Sequence, residues 1–248
     1  MTNDSRNPFE APQAALGVDA SLGATGSLEN AIAGRYDFTI GEVMSEAWGL
    51  AKGFKATFWG AGIVIYLMAI VSGLIWGRIS LGIFGAHANP IGPAIFNGLI
   101  GALMMPLFVG LIAMVVKRAS GMPVAFSTAF AYLGKAPALF VAGLLVTLLT
   151  YLGLALLIIP GLYLAVAYGM TMPVIAFNNV GVWQAMEISR KAITRKWFRV
   201  FGLHLAVGFV LVLSALPLGI PLIWTIPWAM LVVGVLYRRI FGQPAVVV

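Results

Sequence analysis

The sequence predicts an all-α polytopic membrane protein with about six transmembrane helices, and three observations predict it. Of 248 residues, 61% are Ala, Val, Ile, Leu, Met, Phe, Trp, Tyr or Cys and only 9% are charged, whereas a soluble domain carries about 25% charge. Several uninterrupted apolar stretches reach roughly twenty residues, long enough for a helix to cross a hydrocarbon core roughly 30 Å thick. The basic residues gather in alternate gaps between these stretches, as they do in multi-spanning chains. There is no Cys, which excludes disulfides, thiolate metal sites and cysteine nucleophiles.

Residues 1–37 are rich in Ala, Gly, Ser and Asn, lack an apolar period and hold five of the eight acids, so they read as a disordered tail. No basic start with a short apolar core precedes the first span, so no signal peptide is expected. A transmembrane domain follows over 38–242, with 243–248 as a short second tail. Its six spans are placed at 57–77, 93–116, 137–158, 161–178, 200–219 and 221–237. Each must be helical, because backbone amides facing lipid have no partner outside their own helix. Spans three and four are joined by Ile159, Pro160 and Gly161; Pro removes a donor and Gly permits a reversed backbone, so a tight hairpin is expected there. Pro217 to Pro221 separates spans five and six in the same way.

From Arg35 onward, every basic residue except Arg78 falls before span one, between two and three, between four and five, or after six. The positive-inside rule then places both termini in the cytoplasm. The loop 78–92 faces outward, and Leu81, Ile83 and Phe84 make it a surface-lying or re-entrant segment.

A shorter amphipathic stretch precedes spans one, three and five. In the first, Val43, Ala47, Ala51, Phe54 and Phe58 recur at helical spacing with Glu42, Glu46, Lys52 and Lys55 around them. In the second, Ser127, Ala129 and Phe130 echo Ser45, Ala47 and Trp48. In the third, Val182, Met186, Ser189, Ile193 and Trp197 form one face, and Glu187 can pair with Lys191. Either a three-fold repeat of interfacial helix plus hairpin, or topology alone, accounts for the likeness.

Pro160, Gly161, Leu162 and Tyr163, then Pro173, Val174 and Ile175, then Ala185, Ser189, Trp197, Arg199, Phe201 and Gly202, with Glu46, Ala47, Trp48, Leu50, Lys52 and Phe54 earlier, carry a resemblance. Over residues 38 to about 205 the chain resembles the bacterial integral-membrane proteins grouped around YciC, and the membrane domain that precedes some glycerophosphodiester phosphodiesterases. The resemblance implies a six-helix inner-membrane fold without a defined activity. The phosphodiesterase domain is absent, and Asn178 and Asn179 stand where that group often has an acid, so no role at that position carries over.

Within the six spans the ionisable residue is His204, read as a hydrogen-bonding group between helices or as a pH gate. Arg190, Lys191, Arg195, Lys196 and Arg199, with Trp183 and Trp197 close by, have the composition of a helix that binds anionic lipid head groups, or of charges that only set topology. Trp48, Trp59, Trp183 and Trp197 read as interfacial anchors, as do Trp76, Trp224 and Tyr237 near span ends. Gly73 and Gly77, and Gly98 and Ala102, permit close helix packing. Pro106, Gly169 and Pro173 can open spans two and four, with Pro160, Gly161, Tyr163, Tyr168 and His204 near a candidate cavity. No HExxH, GxSxG, phosphate loop or paired carboxylates stands in the spans, so no catalytic residue, metal or cofactor is expected. A nucleic-acid partner is not expected either, since a pI near 9.9 is what positive-inside loops produce. The function expected is therefore that of a non-enzymatic envelope or complex-associated component contacting the bilayer, anionic lipids and membrane-protein partners. Transport of a neutral or amphipathic small molecule is the alternative.

Overall fold

The computed structural model describes residues 27–85 and 89–244, and among these it is helical throughout, without a strand. The first described element lies inside the segment read as a tail. Helix α1 (Leu28–Ala33) begins where the Ser27 hydroxyl accepts the Asn30 amide and ends at Gly34, whose φ of 76° suits glycine. Residues 27–37 are thus folded, because Ala31, Tyr36 and Phe38 are apolar groups buried against the bundle. Helix α2 (Ile40–Leu50) is capped by Thr39.

Helix α3 (Lys55–Phe84) runs seven residues past the expected end of span one and takes in Arg78 and nearly half of the outer loop. His87 lies outside the described residues. Span two is broken: α4 (Ile91–Ala102) and α5 (Met105–Ala119) meet at a 41° bend, with Pro106 in the first turn of α5 where its missing donor costs nothing. Two short 3-10 turns, Phe126–Phe130 and Leu133–Lys135, lead into α6 (Ala136–Leu156).

The hairpin after α6 turns on Leu157 alone, which is extended, and α7 (Ile158–Ala167) starts at once. Pro160 and Gly161 therefore sit inside the first turns of α7 and do not form the turn. Pro160 is tolerated because first-turn donors have no helical acceptor. Gly161 serves close approach: a Cβ on Gly153 would stand 2.9 Å from the Gly161 Cα, and one on Gly161 would overlap Leu154. Span four is completed by α8 (Thr171–Phe177) after a break at Tyr168 to Met170. The amphipathic α9 (Val182–Arg195) follows, then α10 (Trp197–Ala215), and, past a turn with Leu218 and Gly219 at positive φ, α11 (Leu222–Phe241).

Five stretches are long and apolar enough to cross a membrane, and six if the bent pair counts as one, so the chain is a multi-pass membrane protein. They divide into inner and outer spans. Across an eighteen-residue apolar stretch of each, only 17% is buried in α3 and α10 and 22% in the segment ending in α6, against 44% in α7 with α8 and 56% in α11; ten of the fifteen residues of α5 are buried. The even spans meet one another: Gly234 of α11 lies on the Val115 carbonyl of α5, and Phe177 of α8 packs on Tyr237 of α11 at 5.5 Å. Each amphipathic piece packs on the even span just before it. The Phe126–Phe130 turn sits on α5 at Gly110, α9 lies along α7 and α8, and α2, having no predecessor, closes the ring on α11. The apolar face read in the sequence, Val43, Ala47, Ala51, Phe54 and Phe58, is buried in this contact.

A methyl at Gly110 would overlap the Ala129 carbonyl, which is backbone and cannot step aside. Gly110→Ala is expected to cost about 1–3 kcal/mol, read as a lower melting temperature in detergent. Gly208→Ala, with nothing within 4 Å of its added methyl, leaves the melting temperature unchanged or raises it.

Candidate functional site: the basic end of the bundle

The break in span four exposes backbone groups that a bilayer cannot solvate, and α9 supplies what they lack. Ser189 is fully buried; its Oγ accepts the Met170 amide at 3.1 Å and donates to the Ala167 carbonyl at 2.7 Å. One hydroxyl thus bridges the two sides of the break. Further along, Thr194 Oγ1 donates to the Arg190 carbonyl, so the Tyr163 hydroxyl donates to Thr194 at 2.7 Å. The Trp197 indole stacks on Phe201 at 4.8 Å and donates to the Tyr163 carbonyl. Tyr163 is accordingly fastened to α9 and α10, and Tyr168 is half-buried beside it.

The cations predicted to face lipid are mostly engaged within the protein. Arg190 grips Glu187 through Nε and Nη2 at 3.0 and 2.8 Å, and Lys191 reaches the same carboxylate at 3.2 Å. These hydrogen bonds, Arg190 first, hold the Glu187 carboxyl below its usual range. Lys196 and Arg199 both clamp Asp37, the acid between the buried Tyr36 and Phe38. The hydrogen bond from Lys196, then that from Arg199, lowers Asp37 to about 2. Tyr36 adds to the strap: its hydroxyl donates to the Ala192 carbonyl, its ring lies 5.2 Å under the Lys196 ammonium, and burial pushes it up to about 12. Arg195 has no carboxylate partner among the described residues and lies across Gly34.

Other basic residues close helix ends, where carbonyls lack partners and the helix dipole is negative. Arg118 donates to the Leu50 and Lys52 carbonyls beyond α2, Lys135 to those of Ile175 and Ala176 in α8, and Arg238 to Ala119 at the end of α5. Arg238 and Arg239 also pair with Glu46, and Arg239 with Glu42, which locks α2 to α11.

Several single-residue readings change. Tyr237 is buried, accepts from Asn178 Nδ2 and belongs to the core, because its ring fills the space between α8 and α11. Trp59 donates to the Ile223 carbonyl, which Pro227 leaves without its helical donor four residues on. His204 lies on the exposed face of α10 and its Nδ1 hydrogen bonds to Val200 O of its own helix, so that bond joins it to no second helix. Gly73, Gly77 and Gly98 have nothing within 4 Å of an added methyl, so they pack no helix within this chain. Trp183 is 70% exposed, as an anchor would be, and Trp48 is half exposed with its edge against Trp228. Pro173 lies buried in the first turn of α8, just after the break.

Two features escaped the sequence reading. Pro227 deep in a span was a visible signal that Ile223 needed an outside donor. Asp37, an isolated acid between two aromatics just before α2, had no comparable spacing to reveal its partners 159 and 162 residues away.

Grooves open on the flanks of the bundle. One of about 570 Å³ lies beside the α4–α5 bend, lined by Leu67, Met68, Val71, Trp76 and Met104; another of about 400 Å³ lies between α3 and α11. Among the described residues no group of three or more His, Cys, Asp or Glu could hold a metal ion. Fold and basic end together define an all-α, multi-pass membrane protein with an interlocked basic face. No family model, characterised protein or solved structure matches the chain.

Ser189→Ala leaves the Met170 amide and the Ala167 carbonyl unanswered and is expected to destabilise by about 1–3 kcal/mol, with Ser189→Thr retaining part of the loss-free bridge; thermal unfolding in detergent reads both. Asp37 has a depressed folded pKa, so its contribution is complete above an unfolded pKa of about 4 and fades as pH falls toward about 2. Spin labels on Glu29→Cys and Gln184→Cys, clean because the chain has no Cys, are expected to move apart over that range, and Asp37→Asn to show the wider distance already at pH 7.

Proposed function

We propose that this chain is a non-enzymatic structural component of a bacterial inner membrane, with both termini in the cytoplasm, that associates through its basic end with anionic lipid and with a membrane-protein partner. One observation carries the reading. Asp37, Glu46 and Glu187 are each engaged by two cations and Glu42 by one, while Lys52, Lys55, Lys117 and Arg195 on the same end keep no carboxylate partner among the described residues. Internal needs are met and cationic charge is left over, facing outward where anionic head groups lie; each such side chain contributes about 1 kcal/mol of attraction. The sealed break in span four supports the same reading, since its polar groups are spent on holding α9 and not on a ligand. Kinship with the YciC-like group is part of the proposal and rests on the residues that hold α9 in place, Ser189 and Trp197 among them.

Transport of a neutral or amphipathic small molecule is the competing reading, favoured by the bend at Leu103 and Met104 beside the 570 Å³ groove. Purification in mild detergent followed by mass spectrometry of retained lipids and proteins tests the first reading. Enriched anionic lipid or a stoichiometric partner is expected, reduced in Lys117→Gln/Arg195→Gln, which leaves the Asp37 and Glu187 clamps intact. Substrate flux in liposomes at a transporter-like rate would overturn it in favour of the second.

A further inference from the structure

The elbow between α2 and α3 carries a group of donors that nothing among the described residues answers. Trp48, Ala51, Lys52, Lys55 and Trp224 surround a hollow of about 100 Å³. The elbow is held firmly: Arg118 donates to the Leu50 and Lys52 carbonyls at 3.1 and 2.8 Å, Gly53 takes a φ of 73° that favours glycine, and Trp48 is set edge-on against Trp228, itself bonded to the Met44 carbonyl at 3.0 Å. The tryptophans Trp59, Trp197 and Trp228 each give their indole N–H to a carbonyl. Trp48 and Trp224 give theirs to no partner among the described residues, and Lys52 and Lys55 have no carboxylate within reach there either. The acids nearest in sequence, Glu42 and Glu46, are committed to Arg238 and Arg239. Lys55 stands 5.8 Å over the Trp224 ring, which keeps its ammonium in the hollow.

Two cationic side chains and two indoles without an internal acceptor thus border one hollow, a set of residues complementary to an oxyanion. One turn further along α3 lies the groove of about 400 Å³ lined by Phe58, Gly62, Tyr66, Phe108, Ile226 and Met230. Donors at one end and an apolar trough at the other, between the same two helices, match a molecule with a phosphate head and a hydrocarbon tail. We propose that this elbow is a phospholipid site, with the phosphate between Trp48, Lys52, Lys55 and Trp224 and one acyl chain in the groove between α3 and α11. The site deepens the lipid-association reading above and depends on it.

Native mass spectrometry of the full chain in detergent tests the site, with phosphatidylglycerol, phosphatidylcholine and inorganic phosphate as titrants. One phosphatidylglycerol is expected to bind in preference to phosphatidylcholine, and Lys52→Gln/Lys55→Gln to weaken it about ten- to thirtyfold. Gly62→Leu, placed where nothing lies within 4 Å, fills the trough and is expected to lower lipid binding severalfold. Trp48→Phe/Trp224→Phe removes both indole donors without charge change and is expected to weaken the lipid about tenfold, which keeps the test valid if the lysine variant unfolds. Phosphatidylglycerol binding that ignores all three variants overturns the site while leaving lipid association standing. Inorganic phosphate binding that depends on Lys52 and Lys55, with lipid insensitive to Gly62→Leu, overturns the lipid in favour of a free anion. Failure to retain any anionic lipid overturns both the site and the reading beneath it.

Discussion

A backbone carbonyl that loses its helical donor inside a bilayer has no water to turn to, and the architecture of this chain is organised around that demand. Its spans are interrupted at Leu103 and Met104, at Leu157, at Tyr168 to Met170 and at Pro227. At the last two, the answering group arrives from another segment: Ser189 for the break in span four and Trp59 for the carbonyl freed by Pro227. The same device recurs at helix ends, with Arg118, Lys135 and Arg238 reaching carbonyls of α2, α8 and α5. Each such bond runs between segments distant in sequence, so satisfying the backbone and assembling the tertiary structure are one process.

The basic residues consequently perform two jobs. As a population they bias insertion, a long-range effect that depends on count and side. As individuals, several sit within 3.2 Å of a carbonyl or carboxylate and hold one element to another. A cation already bound in this way is a poor ligand for lipid, because binding lipid would first require the internal bond to break and leave its partner exposed. That is why the α9 cluster, which looks the most lipid-like in composition, has little left to offer beyond Arg195, while the less conspicuous Lys52 and Lys55 remain available.

Three inner spans surrounded by three outer ones give each amphipathic piece the same task, covering the end of the even span before it. The small residues at these crossings are where the geometry is tightest. Gly110 admits the Ala129 carbonyl, Gly234 admits that of Val115, and Gly153 faces Gly161 across the hairpin. Gly73 and Gly77, equally suggestive in the sequence, would meet nothing within 4 Å of an added methyl, because α3 is an outer span and few of its residues are buried among the described helices.

Composition and periodicity alone determined that the chain is helical, that it crosses a membrane several times, and which faces of α2 and α9 are buried, because these follow from apolar length and a 3.6-residue repeat. The break of span four at Gly169, the aromatic and basic entry at Trp197 and Arg199, and the pairing of Glu187 with Lys191 were legible for the same local reason. Only the tertiary structure decided that Asp37 ties down Lys196 and Arg199, that Tyr237 is core, that Pro160 lies inside a helix, and that Trp48 and Trp224, 176 positions apart, flank one hollow. Those outcomes depend on which carbonyl or carboxylate lies nearest once the helices have packed, and spacing along the chain carries no record of that.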